Sequence, residues 1–238
     1  MKMRKILITN DDGIQAGGLI RLAMAAQQFG EVTVIAPDSE RSANSHKITI
    51  RDPITVREAD FPVEGVVAYE STGTPVDCVR FGLLNFVHGA DLVLSGINRG
   101  YNSGTDIQYS ATVGAALEAA CVGVHAIALS EGFGDCHEVT DDYLKDIIDD
   151  LMDRPLAYNQ IWNVNFPDCR LYECKGIIEN RTVAGNSFYR DEYVEERCED
   201  GSIRLCVHGT YYEDAADGTD VRAIIDRYVS VGIVNNLR

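Results

Sequence analysis

Across its first two-thirds the chain switches repeatedly between short, continuously apolar runs and stretches with apolar residues at helical spacing. Residues 5–9, 32–36, 92–95, 126–130 and 161–164 are runs of the first kind. They are too short for helices and rich in Val, Ile and Leu, the composition of strands covered on both faces. Between them lie helical patterns. Residues 18–29 carry Leu19, Leu22, Ala23, Ala26 and Phe29 on one face, with Gly30 placed to end the helix. Residues 74–87 open with Thr74 as a cap, Pro75 in the first turn and Asp77 near the positive end of the dipole. Residues 111–122 predict an Ala-rich helix and 141–152 another, while 48–56, interrupted by Pro53, and 66–69 are further strand candidates. The order β-α-β-β-α-β-α-β-α-β dictates an α/β fold with a mostly parallel sheet and helices on both faces.

After Pro167 the pattern changes. Residues 168–238 hold no long helix, only Arg/Glu-rich stretches such as 190–198, a strand-like run at 202–207, a brief helical pattern near 220–226 and a last apolar run at 228–234. The expected division is a core over 1–167 and a β-rich extension over 168–238. A lone hairpin is marginal in water, so the extension must pack on the core, on a second subunit, or on both. Composition narrows the function classes. Lys+Arg number 21 and Asp+Glu 37, a net charge of −16, which argues against a duplex nucleic-acid partner that needs a basic face. Hydrophobic residues make up 45% of the 238, too many for a disordered chain. No run approaches the ~18 apolar residues of a membrane span. Near the N-terminus only Ile6, Leu7 and Ile8, with Thr9, precede two aspartates, short of the ~7–15 residues of a secretory segment. The seven cysteines include no Cys-x-x-Cys, so they read as reduced thiols and the expected compartment is the cytoplasm.

In an open α/β sheet, ligands bind beyond the carboxyl ends of the strands. The first strand is followed by Asn10-Asp11-Asp12-Gly13, the second by Pro37-Asp38-Ser39-Glu40-Arg41-Ser42, and the third by a Gly-rich loop from Gly96 to Gly104. In a parallel sheet these loops meet on one edge. Adjacent carboxylates repel unless a positive charge lies between them, and a hard divalent cation such as Mg²⁺ supplies it. Ser42 and Asn98 offer neutral oxygens. The third loop leads into Ser110-Ala111-Thr112 at a helix start, a natural anion site. A cation beside a phosphate is an arrangement for phosphoryl transfer. A solvated strand-end turn is the competing account of Asp-Asp-Gly; the two neighbouring polar loops weigh against it. The Gly-rich loop matches neither the dinucleotide nor the Walker pattern, and no G-x-S-x-G nucleophile is present. His46 sits in the second loop as a candidate for proton transfer, and Arg41, Lys47 and Arg99 as candidates to offset substrate charge. The nine acids between 131 and 153 read as a solvated helix face.

Together, ITNDDGIQAGGL, VIAPDSERSANSHKIT, STGTPVDCV, LVLSGINRGYNSGTDIQYSATVGAALEA, WNVNFP and GTDVRAIIDRYVS resemble the SurE (survival protein E) family of nucleotide phosphatases, over about residues 6 to 230. The resemblance implies a Rossmann-like domain whose extension serves oligomerisation, as a homodimer or homotetramer. It implies hydrolysis of nucleoside 5′-monophosphates, with 3′-monophosphates and short polyphosphate as further substrates. One divalent cation per subunit, Mg²⁺ or Mn²⁺, would be held by Asp11, Asp12, Ser42 and Asn98. Asp11, Asp12 and Asn98 would be catalytic, and Asn10, Gly104, Ser110 and Thr112 would contact substrate. One motif departs: Ala111 stands where the family commonly has Gly. A non-catalytic nucleotide-binding protein remains an alternative; a receiver-like Mg²⁺-binding signalling module is another, but it would need an acceptor Asp after the third core strand, where Ser95-Gly96-Ile97-Asn98 stands, and a Lys after a later one, where Ser130-Glu131-Gly132 stands.

Overall fold

In a computed structural model, which describes residues 3–236, strand β1 (Arg4–Thr9) is central because its side chains alternate into two cores. Ile6 and Ile8 enter one and Leu7 the other, as the two-residue period of a strand requires. β2 (Gly30–Pro37) and β5 (Leu92–Arg99) flank it in parallel. β4 (Val67–Ser71) continues in parallel beyond β2, and β3 (Val56–Glu58) closes that edge antiparallel. On the other side β6 (His125–Glu131) and β7 (Gln160–Phe166) extend the parallel set. Then β11 (Val229–Asn235) runs antiparallel to β7, with β8 (Ile177–Arg181) outside it. The nine-stranded order is β3-β4-β2-β1-β5-β6-β7-β11-β8. The chain leaves β1 toward β2 and β4, then returns to β5 on β1's other side, so the strand order reverses between β1 and β5. Such a switch point opens a crevice at the strand carboxyl ends.

Helices α1 (Gly17–Ala26) and α4 (Glu138–Leu151) cover one face of the sheet, and α2 (Pro75–Phe81) and α3 (Ala111–Cys121) the other. Ala115, Ala116 and Ala119 of α3 meet Ala126 and Ala128 of β6; small side chains on both sides bring helix and sheet close. Gly18 performs the same service for α1, since a Cβ there would lie 2.2 Å from the Ile97 carbonyl oxygen of β5. The capping box expected for α2 is present: Thr74 Oγ1 accepts from Asp77 N–H and the Asp77 carboxylate from Thr74 N–H. Beyond Phe81 the expected helix continues as one wider turn, Gly82–Phe86. α4 begins three residues before the expected 141.

The strand expected over 48–56 does not form, and only Val56–Glu58 pairs with β4. Its backbone has other partners. Thr49 N–H and Oγ1 donate to the Asp77 carboxylate at 2.9 and 2.7 Å, and Lys47 C=O accepts from Thr74 Oγ1 at 2.6 Å. The segment is tied to the start of α2, and Pro53 removes a ladder donor. In the extension, β8 and β11 join the main sheet, and α5 (Asp220–Ile225) packs Val221 and Ile224 against Ala184 and Phe188. β9 (Tyr189–Arg197) and β10 (Ile203–Tyr211) form a separate antiparallel ribbon. Tyr193, Ile203, Leu205, Val207 and Tyr211 are all exposed, and the pairing register puts them on one face of it.

Candidate metal and phosphate site

The crevice predicted by the β1/β5 reversal is a cavity of about 900 Å³ lined by Asp11, Asp12, Ser42, Asn98 and Ser110 among others. Three loops build it, and backbone bonds join them. Arg41 N–H donates to Asp11 C=O at 2.7 Å and Ile14 N–H to Pro37 C=O at 2.9 Å, binding the second loop to the first. Arg99 N–H donates to Asp12 Oδ2 at 3.2 Å, binding the third. Ser45 donates through N–H to Tyr109 C=O and through Oγ to Gln108 C=O, anchoring the Ser42 loop at the entry to α3. Ala43 and Ser45 hold left-handed backbone angles, φ 57° and 51°. Strain of this kind persists where surrounding contacts impose it.

Asp11 is 4% exposed, and burial raises its carboxyl from the ordinary 3.8 to about 6. The charges of Asp12 and Glu40 push the same way; the Thr112 hydroxyl, donating to Oδ1 at 2.5 Å, pulls against them. Asp12, half-buried, is also raised by burial and by the charges of Glu40 and Glu131, while Arg99 opposes the rise. Two raised carboxylates side by side favour an added cation. The donor set suits a hard one. Thr112 occupies one oxygen of Asp11 and Arg99 N–H one of Asp12. Asn98 commits Nδ2 to Gly100 C=O at 2.7 Å, so its oxygen is the free end. Ser42 Oγ donates to Glu40 Oε1 at 2.8 Å and keeps its lone pairs. Among the described residues no three or more His, Cys, Asp and Glu side chains gather as a metal cage. Two carboxylates with neutral oxygens are the sparse, oxygen-only set of a cation that keeps much of its water.

The other expected residues divide. Ser110 caps α3, accepting from Val113 N–H at 3.0 Å, and lines the cavity. The first-turn N–H groups of Ala111 and Thr112, out of reach of any helix carbonyl, lie at the same end. Ala111 is fully buried, so its methyl does not stand in the cleft. Thr112 is buried and acts on Asp11. Asn10 is buried too; its Nδ2 donates to Gly13 C=O at 3.0 Å, shaping the loop, and its Oδ1 finds no partner among the described residues. Gly104 N–H is taken by Asp220 Oδ2 at 2.9 Å, and a Cβ there would lie 2.0 Å from Asn186 C=O. That glycine joins the Gly-rich loop to the extension and leaves no N–H for a phosphate. His46 binds Glu118 Oε2 at 2.9 Å, with Arg80 on the other Glu118 oxygen at 3.0 Å. It anchors the Ser42 loop to α3 and does not line the cavity.

One cluster escaped the sequence reading. Glu131, grouped there with solvated acids, is 4% exposed at the end of β6 and lines the cavity. It pairs with Arg21 of α1, accepts from Thr140 Oγ1 at 2.7 Å and meets His137 Nδ1 at 3.2 Å; Arg21 also reaches Asp141 at 2.8 Å. The strand-end test that found Asp11 and Asn98 also points to Glu131, the last residue of a parallel strand.

Residues 6–190 match the model of the family described as Survival protein SurE. A 5′-nucleotidase SurE of Clostridium botulinum (strain 657 / Type Ba4) is 40% identical over 231 residues, 95% of this chain and 90% of the relative. A 5′-nucleotidase SurE of Thermoanaerobacter sp. (strain X514) is 36% identical over 233 residues, with the same shares of each chain. The crystal structure of a SurE protein from Aquifex aeolicus superposes with a TM-score of 0.83 at 32% identity, covering 98% of this chain and 94% of that one.

Proposed function

The chain belongs to the SurE family, and on that premise we propose that it is a metal-dependent phosphatase of nucleoside 5′-monophosphates, with 3′-monophosphates and short polyphosphate as further substrates. The observation that carries this reading is the meeting of Asp11, Asp12, Ser42 and Asn98 with the start of α3 around one cavity. A divalent cation, Mg²⁺ or Mn²⁺ and one per subunit, would supply neutralisation of phosphate charge and a more acidic water. The chain's own groups do the rest. Asp11, Asp12, Ser42 and Asn98 would hold that cation through their oxygens. Asp12, with one oxygen fixed by Arg99 N–H, orients the attacking water and takes its proton. The Ser110 hydroxyl, at the start of α3 and on the cavity wall, would face the phosphate oxygens as their charge rises. Thr112 holds Asp11 in place. A receiver-like module would need an acceptor Asp at the end of β5 and a Lys after β6; Asn98 and Glu131–Gly132 stand there.

The reading places the enzyme in the cytoplasm, where nucleotides and reduced thiols coexist. Among the described residues no helix is long and apolar enough to cross a membrane. It also makes the protein a homodimer or homotetramer, with 168–238 as the assembling extension. The exposed Tyr193, Ile203, Leu205 and Val207 on one face of the β9–β10 ribbon support this, since a second copy would cover them. Light scattering at micromolar concentration should give two or four subunits; a monomer with full activity would refute the assembly. The activity is tested with a panel of nucleoside monophosphates and polyphosphates in Mg²⁺, Mn²⁺, Co²⁺ and Zn²⁺. Phosphate release should vanish in chelator and return with Mg²⁺ or Mn²⁺. Undiminished turnover in excess EDTA, with metal content verified as nil, or no release from any nucleotide, would overturn the reading.

A further inference from the structure

The site's chemistry is complete without an aromatic side chain, yet four line the cavity, Tyr101, Tyr109, Phe133 and Tyr189, of which Tyr109 and Phe133 are exposed. Phe133, on the loop after β6, is 60% exposed and lines both the 900 Å³ cavity and an adjoining one of about 560 Å³. Single exposed apolar residues are ordinary on protein surfaces; this one is held in place from several sides. Arg99 Nε donates to Phe133 C=O at 2.9 Å, the same guanidinium reaches Asp135 at 3.1 Å, and Gly134 N–H donates to Asp168 at 2.8 Å. The ring meets Tyr189 edge-on, centroids 5.7 Å apart at 67°. It also lies over Gly100, where a Cβ would come within 3.0 Å of it. Arg99 thus acts as a bracket, with its backbone N–H on Asp12 and its guanidinium on the Phe133 loop. One residue sets the spacing between the candidate metal end of the cavity and the ring.

A fixed, water-exposed aromatic face suits a planar aromatic ligand, because stacking needs no matched hydrogen bonds and a preordered ring loses little entropy. The cavity is in the size range of pockets for whole small molecules, far more than a phosphate requires. We propose that Phe133 is the stacking platform for the base of the nucleotide substrate and favours purines, whose larger faces stack more strongly, over pyrimidines. The inference rests on the nucleotidase reading and adds a specificity residue to it.

The test compares wild type, Phe133→Ala and Phe133→Trp in Mn²⁺ on AMP, CMP and ribose 5-phosphate, which has no base. Thermal melts of each variant accompany the kinetics. Phe133→Ala should lose about ten- to hundredfold in kcat/KM on AMP, mostly through KM. The loss should be smaller on CMP and within about twofold on ribose 5-phosphate. Phe133→Trp should retain the purine preference. Unchanged AMP kinetics in Phe133→Ala, or equal losses on all three substrates, would overturn the inference while leaving the nucleotidase reading standing. Wild-type turnover of ribose 5-phosphate with none of AMP or CMP would refute both.

Discussion

Replacing Asp11 by Asn should stabilise the metal-free fold while sharply lowering activity. In the folded protein the Asp11 carboxyl ionises near 6, against an ordinary 3.8. Below the lower value both folded and unfolded chains hold the proton, and Asp11 costs nothing. Between the two values the folded state holds a proton that the unfolded state has lost, so stability falls as pH rises. Above about 6 the full cost of a buried charge remains. The interval corresponds to at most about 3 kcal/mol. Asn carries no charge at any of these pH values, matches Asp in shape, and can still accept the Thr112 hydroxyl. In chelator at pH 7.5, Asp11→Asn should melt about 4–10 °C above wild type, taking about 2–4 °C per kcal/mol for a chain of this size. The gap should close as pH falls toward 4. Saturating Mn²⁺ should reverse the order, since a ligand stabilises only the fold that binds it. Fluorescence of the single, buried tryptophan, Trp162, can follow unfolding. Activity should drop at least ~10²-fold in kcat/KM, about 2.7 kcal/mol of transition-state stabilisation. If Asp11→Asn melts below wild type in chelator at pH 7.5, or if the gap does not vary with pH, the account of Asp11 as a strained, cation-seeking carboxylate fails.

Arg21→Ala strands Glu131 in its buried position and should cost about 3 kcal/mol, read from urea unfolding; an unchanged midpoint would show that His137 and Thr140 suffice. Gly18→Ala puts a methyl against the Ile97 carbonyl, one residue before Asn98, and should cost about 1–3 kcal/mol. It should also weaken Mn²⁺ binding by calorimetry, and wild-type affinity would mean that α1 does not set the position of Asn98. Thiol-blocking reagents should leave turnover nearly unchanged, because no cysteine lines the cavity and burial pushes the Cys78 thiol up to about 12. Rapid inactivation that substrate prevents would place a cysteine at the site.

The alternation of apolar runs and helical patterns was enough to order β1, β2 and β4 through β7 along the chain and to name the three loops that meet at the cavity. Period is a local property: two for strands and 3.6 for helices can be read from neighbouring residues, and a parallel sheet then sends every strand end to one edge. The start of α2 was equally legible, since Thr74, Pro75 and Asp77 act within a single turn. Partners distant in sequence were not. Arg21 and Glu131 are separated by 110 positions; the strand-end position singles out Glu131, but nothing local marks Arg21 as the partner that lets it be buried. Gly104 reads as a substrate contact until Asp220 is folded against it. His46 reads as a proton-transfer candidate until α3 brings Glu118 beneath it. Residues 48–56 have a strand's composition, but their hydrogen-bond partners lie in the capping box of α2. Only the folded chain raises Asp11 to about 6, because the cost of ionising a carboxyl depends on how much water the tertiary structure removes from it.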